Sequence, residues 1–200
     1  MRVAHKHMAM LLAIGALLTG LPSLASQTLG EPVQHVDLAD LFAAAEHEGR
    51  VGLARKTKTV DVRPAKPGEI IVTVIKTEGK ETQSPPAKLG DFVVRNRCPE
   101  TGNEEVLIQS EKFALRYEGP IGPEDQDGWR AYQPRGVQMR YFIVRPEDGR
   151  FTFTAPWGES MVARPKDAIV RSLTDPKDMY RIAAAAFDCT YEVIERPPSN

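Results

Sequence analysis

The chain has 200 residues, 42% of them hydrophobic, and a formal net charge of −1 at pH 7, which suits one ordinary globular domain with a sizeable core. Because the charges nearly balance, neither nucleic acid nor an anionic membrane surface is expected as the main partner.

The first 25 residues have the pattern of a secretory signal peptide. Arg2 and Lys6 precede an apolar run over residues 8–18, and Ser23-Leu24-Ala25 supplies small residues for cleavage. This run is too short to span a bilayer, and no later stretch is long enough, so stable membrane insertion is not expected. We therefore expect an exported, periplasmic protein that is mature from about Ser26. An uncleaved membrane anchor is the alternative.

The mature chain is predicted to open with a loose lead-in and one helix, within residues 26–54. Over Val36–His47 the apolar side chains recur at helical spacing, which predicts an amphipathic helix. The next segment, residues 55–67, is basic and interrupted by prolines, and is expected to be an edge segment or a linker. Residues 69–76 alternate β-branched side chains, which predicts a strand with both faces partly buried, and residues 77–90 are expected to be a loop.

Two segments further along the chain, residues 79–118 and 158–192, resemble each other. The matching positions are Asp91 and Asp167, Phe92-Val-Val-Arg95 and Ala168-Ile-Val-Arg171, Phe113 and Phe187, and Tyr117-Glu118 and Tyr191-Glu192. Such self-similarity indicates one supersecondary unit that is used twice. In both segments we expect a short strand, a turn, a second strand and one or two helical turns.

The expected fold is therefore α+β, with an N-terminal helix followed by two related, β-rich, small barrel-like units that share one core. Residues 55–118 would form the first unit, residues 119–136 a connecting loop and residues 137–195 the second unit. In the second unit, Met139–Val144 and Phe151–Phe153 are predicted to form a hairpin, because the Asp-Gly pair between them is a strong turn signal.

One segment of the second unit has two interpretations. Residues 174–187 can form a single helix, because Asp175 is a suitable cap and Pro176 suits the first helical position. The similarity to the first unit instead makes Met179–Ala183 a strand and starts the helix at Ala184. We adopt the second interpretation, because it aligns apolar positions on both sides of the turn.

The first segment resembles the PGDYG-type family of small bacterial domains over about residues 79–118, and the second does so more weakly over residues 158–192. The matching residues are Lys88-Leu-Gly-Asp91, Phe92-Val-Val-Arg95, Asn103-Glu-Glu105, Lys112-Phe113 and Tyr117-Glu118. The chain departs from the family's name at Leu89, where the family has Pro, and at Val93, where it has Gly. The resemblance implies a compact, β-rich module, and it implies no reaction.

The chain has two cysteines, Cys98 and Cys189, one in each of the similar segments. In an exported protein an even number of cysteines is most simply one disulfide. Such a bridge would tie the two units together and stabilise the fold by roughly 3–5 kcal/mol in the loop-closure model. Two free, buried thiols are the alternative.

Polar side chains are most concentrated around the turn of the first unit, which is therefore the candidate ligand-binding site. Its residues are Arg95, Asn96, Arg97, Thr101, Asn103 and Glu104. Two guanidinium groups with amide and hydroxyl donors can hold a carboxylate or a phosphate through charge-assisted hydrogen bonds. The structural alternative is that Arg95 pairs with Glu104 or Glu105 across a hairpin and that Asn103 serves the turn.

The sequence carries no signature of a serine hydrolase, a zinc protease or a phosphate-binding loop, so no catalytic residue, metal or cofactor is expected. The leading hypothesis is a non-catalytic binding or interaction protein of the bacterial cell envelope, whose partner is a small anionic ligand or an envelope protein. The alternative is a small hydrolase or transferase that uses Glu81, Glu104 or Glu105 as an acid or a base. One of these carboxyl groups should then lie in a cleft with a raised pKa. A purely structural partner, marked by an exposed apolar patch, is a third possibility.

Overall fold

Strands dominate the protein. The computed structural model describes residues 33–198. Strands make up 39% and helices 16% of the described residues, so the expected α+β class is wrong and the described part of the chain is mostly β. The predicted signal peptide, residues 1–25, lies outside the described residues, as does the chain up to Pro32. Within the described part, no helix has the length and apolarity that crossing a membrane requires.

The three α-helices of the described residues are short. They are α1 (Leu38–His47), α2 (Ser110–Arg116) and α3 (Ala184–Thr190), with ten, seven and seven residues. The predicted first helix begins two residues late, because the Asp37 carboxylate accepts hydrogen bonds from the backbone N–H groups of Ala39 and Asp40 and caps α1 there. No long helix therefore precedes the sheets in the described part of the chain.

Fifteen strands and a short 3-10 helix over Pro146–Asp148 make up the rest of the regular structure within residues 33–198. In chain order the strands are β1 (Gln34–His35), β2 (Gly52–Lys56), β3 (Val60–Pro64), β4 (Val72–Ile75), β5 (Gly79–Gln83), β6 (Phe92–Asn96), β7 (Glu105–Ile108), β8 (Tyr117–Glu118), β9 (Arg130–Pro134), β10 (Gln138–Ile143), β11 (Phe151–Thr154), β12 (Ser160–Ala163), β13 (Ala168–Ser172), β14 (Met179–Ile182) and β15 (Tyr191–Glu195). The strand β14 followed by α3 confirms the second interpretation of residues 174–187.

Two five-stranded sheets have the same construction. The first has the order β7-β6-β3-β9-β8 and the second the order β14-β13-β10-β2-β15. Between β3 and β6 the chain forms the pair β4–β5, and between β10 and β13 it forms the pair β11–β12. We call residues 52–118 the first half and residues 130–195 the second half, because both run through the same succession of strands, strand pair and helix.

The two halves exchange their first strands. β2 belongs to the first half but pairs with β10 and β15 of the second, while β9 belongs to the second half but pairs with β3 and β8 of the first. The expected picture of two consecutive, barrel-like units is therefore wrong: the sheets are open, and each is completed by the other half. Neither sheet can form in full until both halves are present.

Asp91 and Asp167 play the same structural role in the two halves. The Asp91 carboxylate accepts hydrogen bonds from the backbone N–H groups of Lys88 and Ser110, at 2.8 and 3.2 Å. The Asp167 carboxylate accepts the corresponding bonds from Arg164 and Ala184, at 2.8 and 3.1 Å. Ser110 and Ala184 are the first residues of α2 and α3, so each buried aspartate fixes the helix that follows its sheet.

The buried apolar side chains form four clusters among the described residues, and the expected single shared core is absent there. The largest lies under α1, and two more lie under α2 and α3 against the five-stranded sheets. The fourth surrounds Trp129. In the helix clusters, Phe113 stacks on Tyr117 and Phe187 stacks on Tyr191, with ring centroids 5.2 and 5.3 Å apart.

Several segments that were predicted to be irregular are strands. β3 lies in the segment that was expected to be an edge or a linker, β5 in the predicted loop over residues 77–90 and β9 in the predicted connection over residues 119–136. β3 is in fact the central strand of its sheet, since Val60 and Val62 point into the core while Asp61 and Arg63 do not. These strands form because distant segments of the chain pair with each other, and the composition of each segment alone does not reveal that pairing.

Two details of the predicted strands are also wrong. β4 buries Thr73 and Ile75 but leaves Val72 and Val74 about half exposed, so only one of its faces is covered. The predicted hairpin between the segments that become β10 and β11 does not form, because β10 pairs with β2 and β13 whereas β11 pairs with β1 and β12.

Candidate functional site

A cavity of about 410 Å³ lies where the two five-stranded sheets meet the strand pairs β4–β5 and β11–β12. Strand β5 contributes Glu81 and Thr82 to its wall, and the turn between β11 and β12 contributes Trp157. The indole N–H of Trp157 donates a hydrogen bond to the Thr82 hydroxyl at 3.2 Å, which joins the two strand pairs at this point. We call this space the central cavity.

Equivalent positions of the two halves line the central cavity. Tyr117 and Tyr191 follow α2 and α3, and Glu104 and Asp178 each immediately precede the strand before those helices. The first half is apolar at two further positions, Val106 and Leu107, where the second half has Tyr180 and Arg181. The polar groups of the cavity therefore come from both halves, and the two halves differ in chemistry.

Lys56, at the end of β2, is the centre of one polar cluster. Its ammonium donates to the side-chain oxygen of Asn96, and the Asn96 amide donates to Glu104 at 2.6 Å. The Thr101 hydroxyl also donates to Glu104, so this buried carboxylate has a partner on each oxygen. Lys56 reaches this cluster of the first half only because β2 is one of the exchanged strands.

Burial lowers the pKa of Lys56 to about 8. The attraction of Glu104 opposes this change, and the nearby guanidinium of Arg116 acts in the same direction as burial. Among the described residues, no carboxylate oxygen lies within 4.0 Å of the Lys56 ammonium, so it carries no direct ion pair. A lysine ammonium has three donors, and only one of them is used by Asn96.

A second cluster joins α2 to the second half. The Asp178 carboxylate, which is buried, accepts a hydrogen bond from Lys112 at 2.7 Å and another from Arg116. The Arg116 guanidinium also lies 5.6 Å from the ring centroid of Tyr180. Electrostatic interaction with Tyr180, and then with Asp178, raises the pKa of Arg116, so it stays charged.

Two tyrosine hydroxyls adjoin these cations. Burial, followed by the neighbouring Tyr180, raises the pKa of Tyr191 well above its ordinary value. Tyr191 is therefore neutral and able to donate a hydrogen bond at physiological pH. Lys56, Arg116, Tyr180 and Tyr191 all line the central cavity. We call these four side chains the donor cluster.

A third cluster surrounds the buried Arg181, whose side chain is 1% exposed. Its guanidinium donates to Asp167 at 2.7 Å and to Glu78 and Glu81 at 2.6 Å each. Arg164 also donates to Glu78, so two guanidinium groups serve three carboxylates. Burial, with the nearby charges of Glu104, Glu78 and Asp167, raises the pKa of Glu81 to about 7 despite the opposing effect of Arg181.

The structure separates the six residues of the predicted ligand site. Asn96, Thr101 and Glu104 belong to the Lys56 cluster beside the central cavity. Arg95 and Arg97 point to the other side of β6, where both donate to Asp61. Because successive side chains of a strand point to opposite faces, Asn96 and its two arginine neighbours cannot share one site.

The remaining predicted residues have structural roles. The Arg95 guanidinium pairs with Asp61 of the neighbouring strand β3 and lies 4.1 Å from the ring centroid of Trp129, so the predicted pairing with Glu104 or Glu105 is wrong. Asn103 is exposed and has a φ of 57°, so it supports the turn geometry rather than a binding surface. Sequence reasoning thus found three of the four residues of the Lys56 cluster.

Sequence reasoning missed Lys56, Tyr180, Tyr191 and Arg181 as cavity residues. All six predicted site residues belong to the first half, yet the second half supplies two tyrosines and the buried arginine. The only local signal for Lys56 is the alternation of buried Gly52 and Ala54 in β2 with the less buried residues between them. That alternation marks a strand but does not indicate which sheet the strand joins.

The three carboxyl groups of the enzyme hypothesis also differ. Glu81 and Glu104 line the central cavity, and Glu81 has the raised pKa that the hypothesis requires. Glu105 is outside the cavity lining, and its backbone carbonyl accepts a hydrogen bond from Thr73 at 2.8 Å. Glu81 is therefore the remaining candidate for an acid or a base.

Cys98 and Cys189 lie close together, but they are free thiols in this structure. Their sulfur atoms and a carboxylate oxygen of Glu100 are all within 4.8 Å of one another. The predicted disulfide is thus not formed here, although the spatial proximity on which it depends is present.

Compared with known proteins, the chain matches no family profile, no curated protein and no solved structure. The similarity to PGDYG-type domains therefore rests on the quoted residues alone.

Proposed function

We propose that the protein binds a small organic anion in the central cavity and that it does so as an exported, non-catalytic binding protein of the bacterial cell envelope. The observation that carries this proposal is the donor cluster. Two cations and two tyrosine hydroxyls line one cavity, and the cation of Lys56 has no carboxylate partner among the described residues.

The charges of the cavity favour an anion. Asp178 is already bound by Lys112 and Arg116, and Glu104 is bound by Asn96 and Thr101. Lys56 therefore retains unused donors and an unpaired charge in a partly desolvated place, where a charge-assisted hydrogen bond is strong. A carboxylate or a phosphate is the ligand group that would satisfy these donors.

The size and the remaining lining define the rest of the ligand. A cavity of about 410 Å³ is within the usual range for small-molecule sites, roughly 300–1,000 Å³. Met139, Ile108 and Ile182 supply apolar wall next to the polar clusters. We therefore propose a ligand of metabolite size in which one anionic group is attached to a partly apolar body.

A binding screen with two matched variants tests the proposal. The mature protein would be screened by thermal shift against carboxylates, phosphates and uncharged analogues of the same shape. In Lys56→Met the affinity for the best anion should fall roughly 10- to 100-fold, the effect of losing one charged hydrogen bond. In Arg97→Met, which removes an arginine on the far side of β6, the affinity should be unchanged.

If Arg97→Met lost affinity and Lys56→Met did not, the site would instead lie on the surface around Arg95 and Arg97. If no anion changed the melting temperature, the binding proposal would be contradicted. Because a variant that unfolds also loses affinity, both variants would first be compared with the parent by circular dichroism and by their melting temperatures.

Export has its own test. The support for it is the N-terminal pattern of Arg2 and Lys6, an apolar run and Ser23-Leu24-Ala25. When the full chain is expressed in a bacterium and fractionated, the protein should be found in the periplasm with a new N-terminus near Ser26. Recovery of the uncleaved chain in the cytoplasm would contradict this part of the proposal.

A second candidate function, acid–base catalysis by Glu81, is favoured by one observation. Glu81 lies in the cavity wall, its side chain is 10% exposed and its pKa is raised to about 7, which suits proton transfer near neutral pH. Ligands from the screen would be incubated with the protein and analysed by mass spectrometry for turnover. Catalysis requires turnover that Glu81→Gln reduces roughly 10²- to 10⁴-fold without loss of binding. Binding without turnover leaves the non-catalytic function and rejects this candidate.

A further inference from the structure

We propose that Cys98, Glu100 and Cys189 bind a divalent metal ion of the borderline-soft class, Zn²⁺ in particular, at a site that joins the two halves. This inference is independent of the ligand proposed for the central cavity. Cys98 follows β6 in the first half, whereas Cys189 lies in α3 of the second half. Neither half can form the site alone.

The three ligand atoms converge on one point. The Cys98 sulfur is 3.3 Å from a carboxylate oxygen of Glu100, and the Cys189 sulfur is 3.4 Å from the same oxygen. All three atoms lie within 4.8 Å of one another. Thiolate sulfur and carboxylate oxygen are both common ligands of zinc.

These distances match a zinc coordination sphere. With Zn–S bonds of about 2.3 Å and Zn–O bonds of about 2.0 Å, a tetrahedral site places sulfur and oxygen ligands about 3.5 Å apart. The observed separations of 3.3 and 3.4 Å are within about 0.2 Å of this value. The ligands therefore need little movement to hold a metal ion, and three protein ligands leave the fourth position for water.

Lys58 supplies the outer support that such a site needs. Its ammonium donates a hydrogen bond to the Cys189 sulfur at 3.3 Å. Two thiolates and one carboxylate around a divalent ion carry a net charge of −1, which the lysine offsets. Outer hydrogen bonds of this kind orient metal ligands and increase their affinity.

The burial of the ligands permits metal entry. Cys98 is buried, Cys189 is partly exposed and Glu100 is exposed, so an ion can approach from the solvent on the Glu100 side. Binding would replace two thiol protons by the metal, and the protons would pass to the solvent.

The competing fate of the same two cysteines is a disulfide. That reaction needs a thiolate and an oxidant, and it brings the two sulfurs to about 2.05 Å. Both sulfurs contact the same carboxylate oxygen of Glu100, at 3.3 and 3.4 Å, and a disulfide would make no use of these contacts.

The test is a metal titration of the full mature protein after reduction and removal of the reductant. Zn²⁺ would be titrated by calorimetry, and Cd²⁺ would be followed by the ultraviolet charge-transfer band of its thiolate complex. We expect one ion per chain and a cadmium band that is absent in Cys189→Ser. Glu100→Gln and Lys58→Met should each weaken binding roughly 10- to 100-fold. Glu111→Gln, an exposed glutamate on α2 outside the cluster, should bind like the parent.

Because Cys98 is buried, its variant can fail to fold, and the conclusion therefore depends on the variants of exposed Glu100 and partly exposed Cys189. Failure of the reduced parent to bind either metal stoichiometrically would overturn the proposal. Binding that survives both Glu100→Gln and Cys189→Ser would overturn it as well. If the protein is isolated with a disulfide, the same titration after reduction still decides between these outcomes.

Discussion

Glu104 and Asp178 occupy equivalent positions in the two halves, and each is a buried carboxylate in the wall of the central cavity. Their backbone carbonyls accept equivalent hydrogen bonds, from Asn96 N–H at 3.0 Å and from Ser172 N–H at 3.1 Å. Their side chains have diverged: Glu104 is satisfied mainly within its own half, whereas Asp178 binds two cations of α2 from the other half. Equivalent positions therefore hold a hydrogen-bonded cluster together within one half and form ion pairs between the halves in the other.

The aspartates that fix α2 and α3 provide a matched pair of substitutions. Asp91→Asn should lower the free energy of unfolding by roughly 1–3 kcal/mol, because a buried carboxylate that accepts two backbone N–H groups is replaced by a weaker acceptor. Asp167→Asn should cost more, roughly 3–5 kcal/mol, because it also removes an ion pair with buried Arg181. Urea denaturation of both variants measures the difference, and equal losses would contradict the role of the ion pair.

Stability should depend on Lys56 at alkaline pH. Its pKa is about 8 in the folded protein and 10.5 ordinarily, so between these values the unfolded chain binds more protons than the folded one. The free energy of unfolding contributed by this group must therefore rise as the pH increases from about 8 to 10.5. Lys56→Met should lack this rise and should be more stable than the parent at pH 7. Denaturant midpoints at several pH values test the prediction; identical pH profiles for both proteins would contradict it.

Glu81 should make the free energy of unfolding fall as the pH rises from acidic to neutral, the opposite of the effect of Lys56. Its pKa is raised from 4.5 to about 7 on folding, so the folded protein binds more protons than the unfolded chain in this range. Its contribution to stability is present below pH 4.5 and is lost as the pH rises towards 7. Glu81→Gln, which mimics the neutral acid, should equal the parent near pH 4.5 and exceed it by on the order of 3 kcal/mol above pH 7. A gain that does not vary with pH would show that Glu81 does not titrate in this range.

The packing of the exchanged strand β2 leaves no room for a side chain at Gly52. A Cβ atom there would lie 2.3 Å from the Glu195 carbonyl oxygen and 2.8 Å from the Tyr141 ring. Gly52→Ala should therefore force β2 away from β15 and cost about 1–3 kcal/mol or more. Gly122→Ala is the control, because a Cβ at that position meets no atom within 4 Å and its φ is not positive. Comparable melting temperatures for the two variants would contradict the proposed packing of β2.

Part of the polar chemistry could be predicted from local pattern. The alternation along β6 alone places Arg95 and Arg97 on one face and Asn96 on the other, which already divides the predicted ligand site. The buried partners of Asn96 could not be found in this way. Lys56 is forty positions away in the chain and belongs to a segment whose composition resembles a linker.

The sequence by itself determined the strands and helices β6, β7 and α2 of the first half and β13, β14 and α3 of the second, and the correspondence between them. The shared Asp, the apolar strand and the aromatic pair at helical spacing placed β6 and β13, α2 and α3, and the aspartates Asp91 and Asp167 in register, because short-range hydrogen bonds and side-chain periodicity depend on nearby residues. It also predicted that Cys98 and Cys189 lie close together.

Only the tertiary structure decided that β2 and β9 are exchanged between the sheets, and hence that Lys56 meets Asn96 and that both halves build one cavity. Strand pairing uses the same backbone groups in every strand, so a strand's sequence does not identify its neighbour. That choice depends on how both halves bury their apolar faces together, and the donor cluster, the raised pKa of Glu81 and the cysteine site all depend on it.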